Sequence, residues 1–311
     1  MPEQSVTAVL LLSCPDQKGL VAAVSDFLYR NNGNIIHADQ HTDPSTSLRA
    51  GPSTLRQGSG QAPLRAGIEE GVFLQRVEWE LASFAVAREE IAEAFRPIAE
   101  RFGMTWSLHF SDAVPRVAIF VSKLPHCLYD LLARWRMGEF QADVALVVSN
   151  HDDLRPIAKD FGVEYRHVEV TPATKAAAET QLLAELERER IDLIVLARYM
   201  QVLGEGLVGR YRDRMINIHH SFLPAFAGGR PYHQAHERGV KIIGATAHYV
   251  TPELDQGPII DQDVARVSHR DSVADLVRKG RDLEKIVLAR AVDLHLRRRI
   301  VVYGNKTVVF D

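Results

Sequence analysis

The sequence predicts an α/β chain of two domains: a small βαββαβ module over residues 1–112, then a doubly wound, mostly parallel sheet over 113–311. Three observations carry this. Residues 6–110 set short apolar runs and helical periodicity in the order strand, helix, strand, strand, helix, strand. Beyond the linker-like stretch Ser111-Asp112-Ala113-Val114-Pro115, all-apolar runs of strand length alternate with amphipathic helices. Polar residues crowd at the end of one such run, Met215–Ile218, and open α/β sheets bind ligands at strand ends of that kind.

In the first domain, Val6–Cys14 reads as a buried strand and Pro15-Asp16-Gln17-Lys18-Gly19 as the turn into a helix. Leu20, Val21, Val24, Phe27 and Leu28 then recur at helical spacing, with Gly33 as the stop. Asn34–Thr42 and Val72–Leu81 read as strands, Glu89–Phe102 as a helix closed by Gly103, and Met104–Phe110 as the last strand. This order is the ferredoxin-like arrangement. Pro44–Gly67 interrupts the second hairpin. It has no acidic or aromatic residue and repeats Leu-Arg-X-Gly at 48–51, 55–58 and 64–67. Lacking apolar periodicity, it cannot offset its ordering entropy and is expected to be a disordered insert.

Composition narrows the function. A chain of 311 residues with 46% hydrophobic and 25% charged residues is of ordinary soluble type. A formal net charge of -3 gives no reason to expect nucleic acid, and the arginines of the insert lack an aromatic platform for bases. There is no run of 18 apolar residues, and no basic flank precedes the N-terminal apolar stretch. Neither a membrane span nor a signal peptide is expected, and a cytoplasmic location is. Cys14 and Cys127 fall in different halves and read as buried thiols rather than a disulfide framework.

In the second domain, Val117–Val121 is an all-apolar strand, followed by a helix over Leu128–Trp135, a strand over Ala142–Val148 and a helix over Leu154–Phe161 stopped at Gly162. Ser149–Leu154 reads as an Asp-capped helix start. After a short strand at Val163–Val168, Thr171-Pro172 is expected to cap a helix to about Arg188, with proline at the favoured first position. Ile191–Leu196 is a strand buried on both faces. A long amphipathic helix spans Ser272–Arg299, its basic end Arg297-Arg298-Arg299 suiting the helix dipole. Val301–Tyr303 and Thr307–Phe310 close as a hairpin through Gly304-Asn305. The alternation is Rossmann-like.

The chemistry is expected where Asn217, His219 and His220 precede Ser221-Phe222-Leu223-Pro224. Strand alternation puts Asn217 and His219 on one side. An amide can donate to a developing oxyanion, and an imidazole can move a proton near neutral pH. Asp255, in a turn-rich loop between the apolar runs 241–250 and 258–264, is the candidate carboxylate to hold His219 and balance its charge. Spacing alone cannot bring it there. No metal site is expected: His219 and His220 face opposite ways on a strand, and His233 and His236 lack a cysteine or carboxylate to complete a set.

Asn217-Ile218-His219, Ser221-Phe222-Leu223-Pro224, His248-Tyr249-Val250 and the run Leu254–Ile260 together resemble the signature of the folate-dependent formyltransferases. Within that family His219-His220-Ser221, Arg230-Pro231-Tyr232-His233-Gln234 and the run Lys241–His248 resemble its hydrolytic, deformylase branch. The similarity runs from about Arg116 to the C-terminus. It implies hydrolysis of 10-formyltetrahydrofolate by water to tetrahydrofolate and formate, supplying formate for purine synthesis and balancing one-carbon folate pools, with no cofactor beyond the substrate. It implies Asn217, His219 and Asp255 as catalytic residues. Arg198, Met200, Gln201, Val202, Leu203, His220 and Gly257 would bind substrate, the pteridine lying against Ala197–Leu203.

The first strand-to-helix turn of this domain bears on the acceptor. Relatives that formylate a phosphorylated amine resemble one another in a Gly-rich turn there, whose N–H groups cradle phosphate. Val121-Ser122-Lys123-Leu124-Pro125-His126-Cys127 has no glycine, which points to water, with Lys123 left as a point charge for an anion. The first domain, through Asp16-Gln17-Lys18-Gly19-Leu20, is similar to ACT domains. That similarity implies a small amino-acid effector such as glycine or methionine near Asp16, Gly19, Leu20 and Asn34, and a homo-oligomer. The insert departs from the short turn of the deformylase pattern. Two other readings stay open: a formyltransferase acting on an amine acceptor, and a non-catalytic amino-acid sensor.

Overall fold

The computed structural model describes residues 5–44, 71–224 and 231–310. The chain forms two compact units that divide between Ala113 and Val114, with Phe310 grouped with the first unit and not, as expected, with the second.

The first unit runs β1 (Thr7–Pro15), α1 (Leu20–Arg30), β2 (Ile35–Asp43), β3 (Val72–Glu80), α2 (Ile91–Phe102) and β4 (Thr105–Phe110). Its strands are antiparallel in the order β2-β3-β1-β4, the ferredoxin-like order expected from the sequence. Ala8, Leu10, Leu12 and Cys14 lie two apart on β1, so they share one pleat face. Against that face α1 buries Leu20, Val24, Phe27 and Leu28, and α2 buries Ile91, Phe95, Ala99 and Phe102. Phe95 knits the layers, its ring centroid 5.4 Å from Phe27 and 5.1 Å from Trp106 in edge-on contacts. Residues 45–67 of the insert lie outside the described residues.

The second unit begins β5 (Arg116–Val121), α3 (His126–Arg136), β6 (Asp143–Ser149), α4 (Arg155–Asp160), β7 (Glu164–His167), α5 (Lys175–Arg188) and β8 (Leu193–Leu196). It continues α6 (Glu205–Arg210), β9 (Met215–His219), α7 (Pro231–Glu237), β10 (Ile242–Tyr249), β11 (Ile259–Arg266), α8 (Val273–Leu296), β12 (Ile300–Tyr303) and β13 (Lys306–Val309). The seven-stranded sheet has the order β11-β10-β9-β8-β5-β6-β7. It is parallel from β7 through β9, and antiparallel at β9–β10 and β10–β11. Both faces are covered, which explains the unbroken apolar runs. On β5, Val117, Ile119 and Val121 face the core under α3 and α8, while Ala118 and Phe120 face the core under α5 and α6.

Several boundaries differ from the sequence expectation. α3 begins at His126, ahead of Leu128, and α6 and α7 carry too few apolar positions to announce themselves by periodicity. α5 begins at Lys175 rather than beside Pro172, because Thr171 and Thr174 hydrogen-bond each other's side chains and backbone in a separate turn. α4 has no side-chain cap; Asp152 pairs with Arg155 instead. α8 starts at the expected Ser272, whose hydroxyl and Asp275 form a reciprocal capping box. It ends at Leu296, and Arg298 already has a left-handed φ of 55°, so the Arg297–Arg299 run turns out of the helix instead of extending it. Among the described residues no helix is long and apolar enough to cross a membrane.

Candidate active site

β9 delivers Asn217 and His219 to its carboxyl end, and antiparallel pairing with β10 sets Asn217 opposite His248 and His219 opposite Thr246. The chain after β10 turns back through residues 250–258. Asp255 adopts a left-handed φ of 56°, and a Cβ on Gly257 would overlap the Tyr249 carbonyl, so only glycine lets the two segments close on each other. Tyr249 N–H donates to the Pro258 carbonyl at 2.9 Å, and Asn305 Nδ2 donates to the Gln256 carbonyl at 2.9 Å, pinning the loop. As a result Asp255 Oδ2 lies 3.2 Å from His219 Nδ1. The sequence could propose that meeting but not build it.

Electrostatics follow from this contact. The hydrogen bond from His219 first of all, and next the side chain of His248, whose Nε2 lies 3.7 Å from Asp255 Oδ1, hold the Asp255 carboxyl well below the usual carboxylate range, against the upward push of burial. With Nδ1–H of His219 directed at the carboxylate, Nε2 keeps its lone pair. That atom is buried and has no hydrogen-bond partner among the described residues. Asn217 Nδ2 lies 3.2 Å from His248 Nε2, and His248 Nδ1 donates to the Tyr249 carbonyl at 2.8 Å. His220, next to His219 at 5.2 Å between ring centroids, is pushed down to about 4 by burial, with the charges of Arg198 and His219 adding to it. It is a neutral ring at neutral pH.

These groups border a cavity of about 600 Å³. One wall is largely apolar, formed by Met200, Gln201, Val202 and Leu203 after β8 and by Val250, Thr251, Pro252 and Leu254 after β10. Met200 and Val202 are 60% and 57% exposed, which is costly for apolar side chains with nothing to cover. The loop after β8 is anchored by the first turn of this unit: Ser122 Oγ accepts from Met200 N–H at 3.0 Å and donates to Asn150 Oδ1 at 2.7 Å. The glycine-free turn thus spends its side chains on support, and Lys123 is exposed away from the cavity lining.

The structure therefore gathers Asn217, His219 and Asp255, and sets Arg198, Met200, Gln201, Val202, Leu203 and His220 around the same cavity. Gly257 does not line it; its place follows from the close approach to Tyr249. The expectation that His219 and His220 face opposite ways fails because β9 ends at His219, and both rings reach the cavity. In the first unit Asp16 and Asn34 are exposed, Gly19 has a φ of 92° at the start of α1, and Leu20 is core.

Sequence reasoning missed His248, Tyr232, His126 and Glu284. Glu284 had a readable signal, an acid on the apolar stripe Leu276, Leu283, Val287, Leu288 of α8. His126, Cys127 and Glu284 are the one described group whose ligand atoms lie close enough for a metal ion. Arg198 Nε, 3.4 Å from Glu284 Oε2, already places a fixed cation on that carboxylate, and burial first of all keeps the Cys127 thiol protonated. These donors fit an internal ion pair better than a metal.

The formyl transferase family model matches residues 115–292, and the ACT domain model matches residues 8–55. A formyltetrahydrofolate deformylase from Synechocystis sp. is 54% identical over 307 residues, spanning 99% of each chain. The crystal structure of a formyltetrahydrofolate deformylase from Pseudomonas syringae pv. tomato is 45% identical and superposes with a TM-score of 0.89, covering 100% of this chain and 96% of that one. The crystal structure of glycinamide ribonucleotide transformylase 1 from Symbiobacterium toebii is 32% identical with a TM-score of 0.61, covering 66% of this chain and 98% of that one. Similarity over the whole length, both domains included, places the chain in the formyltetrahydrofolate deformylase family.

Proposed function

We propose that this chain hydrolyses 10-formyltetrahydrofolate to tetrahydrofolate and formate, with Asn217, His219 and Asp255 carrying the chemistry. The observation that supports the roles is the 3.2 Å contact of His219 Nδ1 with Asp255, which leaves Nε2 free at the cavity. Water adds to the formyl carbon as His219 Nε2 takes one of its protons, and the Asn217 amide donates to the oxyanion. Protonated His219, balanced by Asp255, then delivers the proton to N10 as the C–N bond breaks. Formic acid ionises, so one proton reaches solvent per turnover. Folate would lie along the wall formed by Met200, Gln201, Val202 and Leu203, with Arg198 and His220 on the side of the reacting carbon. No metal or cofactor enters this scheme.

The first unit supports a further part of the proposal: a small amino acid, glycine or methionine, binding at the turn bearing Asp16 and Gly19 and tuning turnover in a homo-oligomer; Asn34, which bonds Glu80 at the opposite end of the sheet from the Asp16–Gly71 contact, takes no part in that site. Titration calorimetry of the full chain with each amino acid tests it, and no heat from either leaves that unit without an effector.

The reaction is tested by following formate from 10-formyltetrahydrofolate with no amine present. Stoichiometric formate and tetrahydrofolate support the hydrolase. Product only when an amine is added supports a transferase, and no product at all supports the sensor.

A further inference from the structure

Glu284 is 1% exposed, yet it meets polar side chains from three elements at once. Oε2 takes His126 Nε2 at 2.7 Å and faces Arg198 Nε at 3.4 Å, and Oε1 accepts from the Tyr232 hydroxyl at 2.8 Å. Burial alone would raise its pKa; His126, Arg198 and Tyr232 outweigh that and keep it ionised. A buried ion cluster of this kind stabilises a fold no better than well-packed apolar residues of the same volume. A second oddity accompanies it. Gly280 sits one turn before Glu284 inside α8, where glycine is less favourable than alanine. A Cβ there would overlap the hydroxyl and ring carbons of Tyr232. The helix gives up stability so that Tyr232 can lie across it and reach Glu284.

Arg198, Tyr232 and Glu284 line the cavity, and the aromatic contacts run from Tyr232 to His220 at 6.2 Å and from His220 to His219 at 5.2 Å. Arg198, Tyr232 and Glu284 thus form the wall that faces His219 from the α8 side, with His126 behind it. Resting on the reaction assigned above, folate takes the apolar wall after β8 and β10, so the nucleophile has to come from the cluster side. Water needs no room beyond its own oxygen, whereas any primary amine brings a substituent that must fit behind the attacking nitrogen.

We propose that the side chain held by Glu284 at the cavity is the specificity determinant of the reaction: Tyr232, held by a Glu284 that His126 braces from behind the lining, fills the space an amine acceptor would need and leaves room for water. Were that space open, an amine nitrogen would bond to the formyl carbon, the carbon–N10 bond would break, and an amine proton would pass through His219 to N10. The products would be tetrahydrofolate and a formamide, with no formate.

The test uses the full chain, 10-formyltetrahydrofolate and glycinamide at rising concentration, with formate and N-formylglycinamide both quantified by mass spectrometry. The unsubstituted chain should give formate alone. His126→Ala combined with Tyr232→Ala should turn over more slowly and raise the ratio of formamide to formate ~10-fold or more, the discrimination a filled apolar space commonly supplies. Glu284→Gln, which keeps the side-chain volume but loosens both neighbours, should move the ratio the same way and carries the test if the double variant does not fold. An unchanged ratio in a folded variant that still releases tetrahydrofolate overturns the proposal. So does an unsubstituted chain that formylates glycinamide as well as the variants do, a result that leaves hydrolysis standing. Absence of formate from the unsubstituted chain without amine would instead remove the hydrolase reading itself.

Discussion

Asn217 Nδ2 donates to His248 Nε2 across the β9–β10 pair, and the direction of that bond is set from the far side of the ring. His248 Nδ1 lies 2.8 Å from the Tyr249 carbonyl oxygen, which can only accept, so Nδ1 bears the proton, and a ring carrying one proton has Nε2 as its acceptor. The amide of Asn217 is thereby oriented with its nitrogen toward His248. Its second N–H is left for the cavity, where an oxyanion would form.

His248 is accordingly a positioning residue. His248→Ala should lower kcat ~10-fold or more, as expected when an oxyanion donor loses its orientation, with KM little changed. His248→Gln, which can present a carbonyl oxygen to Asn217, should recover part of the loss. Steady-state kinetics of the two variants checks this, and a change confined to KM would assign His248 to binding instead.

Removing the reacting groups themselves should cost more. Asn217→Ala is expected to slow formate release ~10²–10³-fold and His219→Ala ~10²–10⁴-fold, with folate affinity largely kept. Asp255→Asn should also be severe, since an amide can hold the ring in the wrong tautomer and cannot balance imidazolium charge. Near-normal formate release from His219→Ala would end the proposed mechanism.

Acid stability should follow two residues with opposite chemistry and the same sign. The native pKa of His220 is lowered from 6.5 to about 4, so between those values the unfolded chain binds a proton that the native state refuses. Stability therefore falls as pH drops from about 6.5 toward 4, and His220→Gln should flatten that slope. Asp255 has a native pKa below its unfolded value near 4, so its contribution is full above that value and is lost as pH falls below it. Asp255→Asn should remove this second loss. Thermal melts of both variants from neutral pH to about pH 3 separate the two windows.

Gly280→Ala tests the packing of Tyr232 on α8. Helix propensity predicts a gain of about 1 kcal/mol. The overlap with the tyrosine ring predicts a net loss of about 1–3 kcal/mol, because the ring is buried and cannot swing aside freely. Urea denaturation decides between them. Adding Tyr232→Ala should restore the propensity gain, as expected for a contacting pair.

The elements were legible where one physical signal dominated. β5 and β8 are buried on both faces and read as unbroken apolar runs, while Phe27 and Leu28 repeat with Leu20 and Val24 at the helical period. α7 was not legible, since among its described side chains only Tyr232 and Ala235 reach the core. The start of α5 was misplaced because Thr171 and Thr174 bond each other in a turn that local pattern alone mistakes for a cap.

By itself the sequence determined the two-domain α/β order, the strand end bearing Asn217 and His219, and the acid able to serve them. Those are local properties, written in period, polarity and turn residues. Only the tertiary structure decided that Asp255 meets His219, that His248 aims Asn217, and that Glu284 ties Arg198, Tyr232 and His126 into one wall. Each contact joins groups on different strands, loops or helices, and its distance is set by sheet register and loop closure. No periodicity within one segment reports on either.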